Sequence, residues 1–381
     1  MKHIADWALN TATQRGATDV DVRIVDERQR SLATKNGKVG HAASGESLGL
    51  GVRVLVDESW GFAATDDMTG DAVKRTAAKA VDIARASARV KEHPIRLAPE
   101  PAAKIEWSTP CKIDPFTTSI EENLDLLMKI DHELLSVKGV TLGESSLHLS
   151  RYEQWFYSSE GSDIHQTRTT TGAGFSAISF EGTEIQKRSY PNSFGGQHQC
   201  KGYELIDELK LVENARRIGE EAVALHKAER CPQGNMNLIL DSSQLGLQIH
   251  ESIGHPIELD RVLGMEANFA GTSFLTLEKL RTLRYGSDLV NVVADATEAH
   301  GPGLGTFAYD DEGVAAQRTP IITNGLFTGY ISSRETAETI GEHRSNGTMR
   351  AEGWNRIPLI RMTNISILPG EKPLTFDQLI A

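Results

Sequence analysis

The sequence predicts an α+β fold: an N-terminal α+β domain over residues 1–230, with an antiparallel sheet and packed helices, then a β-rich C-terminal domain over 231–381 that carries a motif helix. Three observations carry this prediction. Alternating apolar segments are separated by Asn-Gly turns. Two long stretches space their apolar residues as one helical face does. After "CPQGN" the chain changes to short strands, turns and hairpins.

In chain order, a first helix is expected over His3 to Gln14, stopped by Gly16. "DVDVRIV" alternates Val20, Val22 and Ile24 and reads as a half-buried strand. "KNGK" is a hairpin signal, because Asn-Gly accepts the positive φ angles of a tight turn. "SLGLGVRVLV" places Leu48, Leu50, Val52, Val54 and Val56 on one face, and "ESWGFAAT" is the next strand. From Thr69 to Arg89, Val73, Ala77, Ala80, Ala84 and Ala88 form one helical stripe. The proline-rich "VKEHPIRLAPEPAAKIEWSTP" reads as a surface connector. Ser119 with Glu122 forms a capping box for "SIEENLDLLMKIDHELLS". Two β-rich segments, "SSLHLSRYEQWFYSSEG" and "HQTRTTTGAGFSAISFEG", extend one antiparallel sheet, and a helix over Glu204 to Ala228 closes this half. Beyond it, "MNLILD" reads as a short buried strand, and Asp241 with Gln244 as the cap of the motif helix. "DLVNVVAD" and "PIITNGLFTGYISS" follow, the second containing the hairpin signal Asn324-Gly325.

Composition narrows the function. A formal charge of −12 over 381 residues argues against a nucleic-acid partner, since phosphate neutralisation needs a basic face. No run approaches the ~20 apolar residues of a membrane span, so no membrane partner is expected. Cys111, Cys200 and Cys231 are too few and too scattered for a disulfide framework, which fits a cytoplasmic chain.

The chemistry concentrates in "QIHESIGHP", where His250, Glu251 and His255 form a His-Glu-x-x-x-His motif. Positions five apart on a straight α-helix differ by about 140° in azimuth, so the two imidazoles converge only if the helix is locally underwound. Pro256 has no N–H for the Ser252 carbonyl, and Gly254 loosens the backbone before it, so a π-bulge is expected here. Both rings would then face one cation, with Glu251 beside it as the base for a metal-bound water. Hydrogen-bonded or surface histidines are the bland alternative, and they leave Glu251 unexplained.

Around the motif, "LQIHESIGHPIELDRVLGMEANFAGTSF" resembles the TldD branch of the TldD/PmbA family, metal-dependent peptidases also described as modulators of DNA gyrase. "YDDEGVAAQRTPIITNGLFTGYISSRETA", "RAEGWNRIPLIRMTNISILPGE" and "GLGVRVLVDESWGFAATDD" resemble its other blocks. The resemblance implies a Zn2+ cofactor held by His250 and His255, with Glu251 as catalytic base. It also implies unfolded or short peptide substrates, and a PmbA/TldE-like partner subunit in a heterodimer. The family's remaining ligand is a cysteine near the C-terminus of a longer chain, whereas the last cysteine here is Cys231. A C-terminal part is therefore expected to be absent and the metallopeptidase domain incomplete. His300, Asp310, Asp311, Glu312 and His343 are the local substitutes, although "DDEG" reads better as a solvated turn and Cys200 and Cys231 as buried packing residues. The alternative function is a catalytically inactive peptide-binding or partner subunit.

Overall fold

The hairpin signal at Lys35–Lys38 sets the first sheet. In the computed structural model, which describes residues 1–297, 303–372 and 374–380, Asn36 and Gly37 turn the chain at φ 51° and 70°. They join β1 (Asp19–Lys35) to β2 (Lys38–Val56), after α1 (Lys2–Gln14). β3 (Ser59–Thr65) and α2 (Gly70–Ala88) follow, then β4 (Lys104–Ser108) and α3 (Ile120–Leu135). The long strands β5 (Val140–Ser158) and β6 (Asp163–Glu181), with β7 (Glu184–Tyr190) and β8 (Gln197–Gln199), complete an eight-stranded sheet. Its order is β3-β2-β1-β5-β6-β4, with β7 and β8 also on β6. The proline-rich connector thus contains a strand, β4, which pairs parallel to β6 while every other pairing in the sheet is antiparallel. Ser119 and Glu122 make the expected reciprocal cap of α3. The helix expected over Glu204–Ala228 is broken into α4 (Glu204–Leu209) and α5 (Leu211–Ala224), because Lys210 adopts a left-handed φ of 50°.

All these helices cover one face. Val20, Val22 and Ile24 of β1 and Leu50, Val52 and Val54 of β2 pack against Ala5, Ala8 and Ala12 of α1 and the Val73–Ala84 stripe of α2. Further along, Leu32, Leu147, Leu149 and Phe175 meet Leu127, Ile130 and Leu134 of α3 and Ala215, Ile218 and Ala222 of α5. Gly61 lets α2 approach, since a Cβ there would lie 2.0 Å from the Ala80 carbonyl oxygen.

The half-buried reading of "DVDVRIV" does not hold: Asp19, Asp21 and Arg23, on the other face, are buried too. That face receives the C-terminal half. Arg53 donates to Asp21 at 2.6 and 2.8 Å and to Glu312 at 2.9 Å, with its guanidinium 4.3 Å from the Trp60 ring. Arg334 forks onto Glu160 with both bonds at 2.8 Å. Gln166 accepts the Ala308 and Tyr309 N–H groups at 2.9 Å and donates to the Tyr309 carbonyl at 2.8 Å. "DDEG" is therefore a turn but not a solvated one. Asp310, Asp311 and Glu312 are all buried, and the Gly313 that ends the run has φ 74° and sits against Phe156.

In the C-terminal half, β9 (Val292–Asp295), β10 (Arg318–Thr323) and β11 (Leu326–Phe327) form part of a four-stranded sheet. A second pair, β12 (Met349–Arg350) and β13 (Leu359–Ile360), precedes β14 (Asn364–Ile367), which completes that sheet in the order β11-β10-β9-β14. Asn324 and Gly325 turn the β10–β11 hairpin at φ 46° and 75°, as the sequence indicates. The core gathers Ile257, Leu259, Val292, Ala294, Ile321, Phe327, Tyr330 and Ile331. "MNLILD" forms no strand: Met236, Leu238, Ile239 and Leu240 are exposed, with no strand among the described residues paired to them. Cys200 is buried as expected, but Cys231 is exposed. Among the described residues no helix is long and apolar enough to cross a membrane.

Two outcomes follow from the charged face. Arg53→Met leaves Asp21 and Glu312 buried without their cation, and should cost on the order of 3–5 kcal/mol in urea denaturation at pH 7. A loss below about 1 kcal/mol would remove the ion network from the interface energetics. Burial first, then the like charge of Asp21, pushes the Asp19 carboxyl up to about 6. The unfolded chain releases that proton near pH 4, so the native state holds the extra proton between about 4 and 6. Stability should fall across that window by about 3 kcal/mol, and Asp19→Asn should flatten this part of the pH–stability curve.

Candidate metal centre

Asp241 caps α6 (Ser242–Ile249) by accepting the Ser243 N–H at 2.8 Å. The helix then widens into a π turn over His250–Gly254, closed by a bond from the His255 N–H to the His250 carbonyl, and ends in a 3₁₀ turn over His255–Ile257. The cause is local. Proline at 256 cannot donate to the Ser252 carbonyl, and the Tyr285 hydroxyl supplies that bond instead. Gly254 admits Met362 against the turn, where a Cβ would lie 2.0 Å from its sulfur.

One extra residue in the turn rotates His255 back beside His250. The ring centroids are 4.6 Å apart and the planes cross at 83°. One ligand atom from each of His250, Glu251 and His255 lies within 4.8 Å of the others. His250 and Glu251 are exposed and His255 is half-buried, so the cluster opens to solvent.

Beneath it lies a charged layer the motif does not announce. His255 Nδ1 is 3.1 Å from Glu258, whose side chain is fully buried and also receives Arg261 at 3.0 Å and the Met362 N–H at 3.2 Å. Arg261 approaches the same ring nitrogen less closely, at 3.4 Å, so Glu258 is the nearer partner of Nδ1. Asp260 accepts the Arg261 and Ile360 N–H groups at 2.7 and 3.1 Å. Its own burial, then the charges of Glu266 and Glu258, push its carboxyl up to about 6. Glu266 is held by Arg361 at 2.7 Å. In the sequence this layer shows only as Glu258, Asp260, Arg261 and Glu266 within "IELDRVLGME", a charge density that a solvated helix face would also carry.

The substitute ligands are not brought in. Asp310 accepts N–H groups from Glu312, Val314 and Met349, and Asp311 accepts one from Ala351. Glu312 is committed to Arg53 and the Arg334 N–H. His343 is exposed and outside the group, and His300 lies outside the described residues. Among the described residues, His250, Glu251 and His255 are the one metal-competent group, and no cysteine joins it.

Three segments match family models: residues 20–84 the PmbA/TldA metallopeptidase domain 1, 113–228 its central domain and 233–381 its C-terminal domain. The chain is 31% identical over 365 residues to a metalloprotease of Methanocaldococcus jannaschii, covering 94% of this chain and 75% of that one. A metalloprotease of Methanothermobacter thermautotrophicus is 32% identical over 367 residues, with 94% and 73% covered. A zinc metalloprotease TldD homolog of Saccharolobus solfataricus is 24% identical, with 96% and 76% covered. Among solved structures, TldE of Thermococcus kodakarensis superposes with a TM-score of 0.70 at 16% identity, over 97% of this chain and 79% of that chain. A Thermotoga maritima protein described as a DNA gyrase modulator reaches 0.75 at 19%, covering 100% and 79%. These structures share the α+β fold. By its three matched segments and its archaeal relatives, the chain belongs to the PmbA/TldD metallopeptidase family.

Proposed function

We propose that this chain is a zinc-dependent peptidase subunit acting on unfolded or short peptides, with His250 and His255 as metal ligands and Glu251 as the general base. The observation that carries the reading is the π turn, which gathers two imidazoles and a carboxylate that a regular helix would keep apart. Two imidazole nitrogens are donors that zinc accepts, and a buried carboxylate already ties one imidazole through Nδ1, as ligating histidines usually require. The zinc metalloprotease name of the Saccharolobus relative supports the choice of metal. When bound, the ion would supply Lewis acidity, lowering the pKa of water towards about 7 and polarising a peptide carbonyl. Glu251 takes a proton from the attacking water at its carboxylate and passes it to the departing amine. Glu258 keeps His255 in one tautomer, and Arg261 holds the Glu258 side chain in its buried place. The fold shared with TldE supports a TldE-like partner subunit, and the absence of a disulfide framework supports the cytoplasm.

A second reading is favoured by one observation: no cysteine or third histidine joins the group among the described residues. The chain would then hold peptides or a partner subunit without cleaving. Mixing it with a labelled unfolded peptide separates the two readings, since binding without fragments supports the second.

Elemental analysis should find zinc on the native chain and none on the His250→Ala, His255→Ala double variant; equal zinc on both would dissolve the site. Glu251→Gln should lower peptide cleavage by about 10²–10⁴-fold while zinc stays bound. Glu258→Gln should weaken zinc about 10–100-fold in competition with a chromophoric chelator. Unchanged affinity would reduce Glu258 to a packing role.

A further inference from the structure

The strand pair beside the π turn carries an unassigned feature. Arg350 of β12 pairs with Leu359 of β13, and the chain then runs through Arg361 to Met362, which touches both Glu258 and Gly254. A cavity of about 370 Å³ opens here, lined by Arg350, Arg356 and Arg361, by one acidic residue, Glu352, and by Ala351, Ile357 and Leu359. The three guanidiniums are not equally occupied. Arg361 is bound to Glu266 at 2.7 Å. Arg356 is exposed, with its nearest carboxylate, Glu352, 4.0 Å away. Arg350 is half-buried and, among the described residues, its side chain makes no hydrogen bond or ion pair. Burial first, then the like charge of Arg168, holds its pKa below the usual guanidinium value against the opposing charge of Asp311. Asp311 and Glu258 offset this in part, but no carboxylate among the described residues is paired directly with the guanidinium, so its donors remain available to a ligand.

We infer that this cavity is a carboxylate subsite of the peptide-binding cleft, with Arg350 as the fork that takes the anion and Arg356 as its open flank. This rests on the peptidase reading only for the identity of the ligand as a peptide. The carboxylate is either the chain terminus or an Asp or Glu side chain one or more residues from the scissile bond. Both present the planar two-oxygen group that a guanidinium matches. Ile357 and Leu359, 40% and 36% exposed, give neighbouring side chains an apolar wall. The charge of the whole chain is −12, so bulk attraction cannot produce a preference for anionic peptides.

The test uses the full chain carrying Glu251→Gln and three fluorescein-labelled hexapeptides: one uncharged with a free C-terminal carboxylate, its C-terminal amide, and that amide with one internal Glu. Fluorescence anisotropy should show the free acid or the Glu peptide binding about tenfold or more tightly than the neutral amide. The arm that shows the gap identifies the source of the carboxylate. The gap should vanish with Arg350→Met and shrink with Arg350→Lys, which keeps charge but not the fork. Equal binding of all three peptides, no binding of any, or a gap that survives Arg350→Met overturns the subsite. If Arg350→Met fails to fold, the Arg350→Lys comparison decides in the same way. Zinc-dependent turnover of the amide by the unaltered chain is measured separately. A chain that shows the gap without turnover refutes the peptidase reading and leaves the subsite standing.

Discussion

The guanidinium of Arg53 holds the two halves of this molecule in one arrangement. It sits between Asp21 on its own sheet and Glu312 on a turn of the other half, with the charges removed from water on every side. Electrostatic pairs in such a place add little net stability over an apolar packing of the same shape, but breaking one is expensive. What the pair contributes is specificity of docking: only an acidic turn at one height above the sheet satisfies Arg53. Gln166 repeats this logic with neutral groups, reading the Ala308–Tyr309 backbone as a neighbouring strand would. Arg23 adds a bond to the Arg356 carbonyl at 2.6 Å, so the loop that carries the proposed subsite is anchored on the same face.

This docking and the metal-competent turn are built from different materials. The turn is local: a missing N–H at Pro256, a glycine at 254 and a tyrosine hydroxyl that accommodates the stranded carbonyl. Its support is not local, because Met362 and Ile360 come from the β13 region and donate to Glu258 and Asp260. The two histidines therefore stand on a buried floor of carboxylates and arginines. A site of this kind can open to solvent above while the His255 ring stays held from below.

What was legible in the sequence was whatever the backbone decides within a few residues. Asn36-Gly37 and Asn324-Gly325 accept positive φ, Ser119 and Glu122 cap each other, and Pro256 with the five-residue His spacing implies an underwound helix. Features that depend on distant partners were not legible. Asp310–Glu312 look like a solvated turn until Arg53, 259 positions away from Glu312, is set beside them. β4 hides in a proline-rich stretch because its partner is a parallel strand some sixty residues on. The apolar run at 236–240 carries the composition of a buried strand, yet burial needs a neighbour, and none among the described residues takes it. Glu258 follows the motif by three positions and is indistinguishable in the string from any helix-surface acid.

From Asp19 to Ile24 β1 alternates, with Val20, Val22 and Ile24 towards the helices and Asp21 and Arg23 towards the other half. Had one side faced water, sliding the strand by a single residue would have exposed a few valines and little more. Here such a slip would drive carboxylates and a guanidinium under the alanine stripes and leave Glu312 facing hydrocarbon. Pairing errors in this hairpin are thus penalised twice, so the docked half proofreads the alignment of the sheet on which it rests.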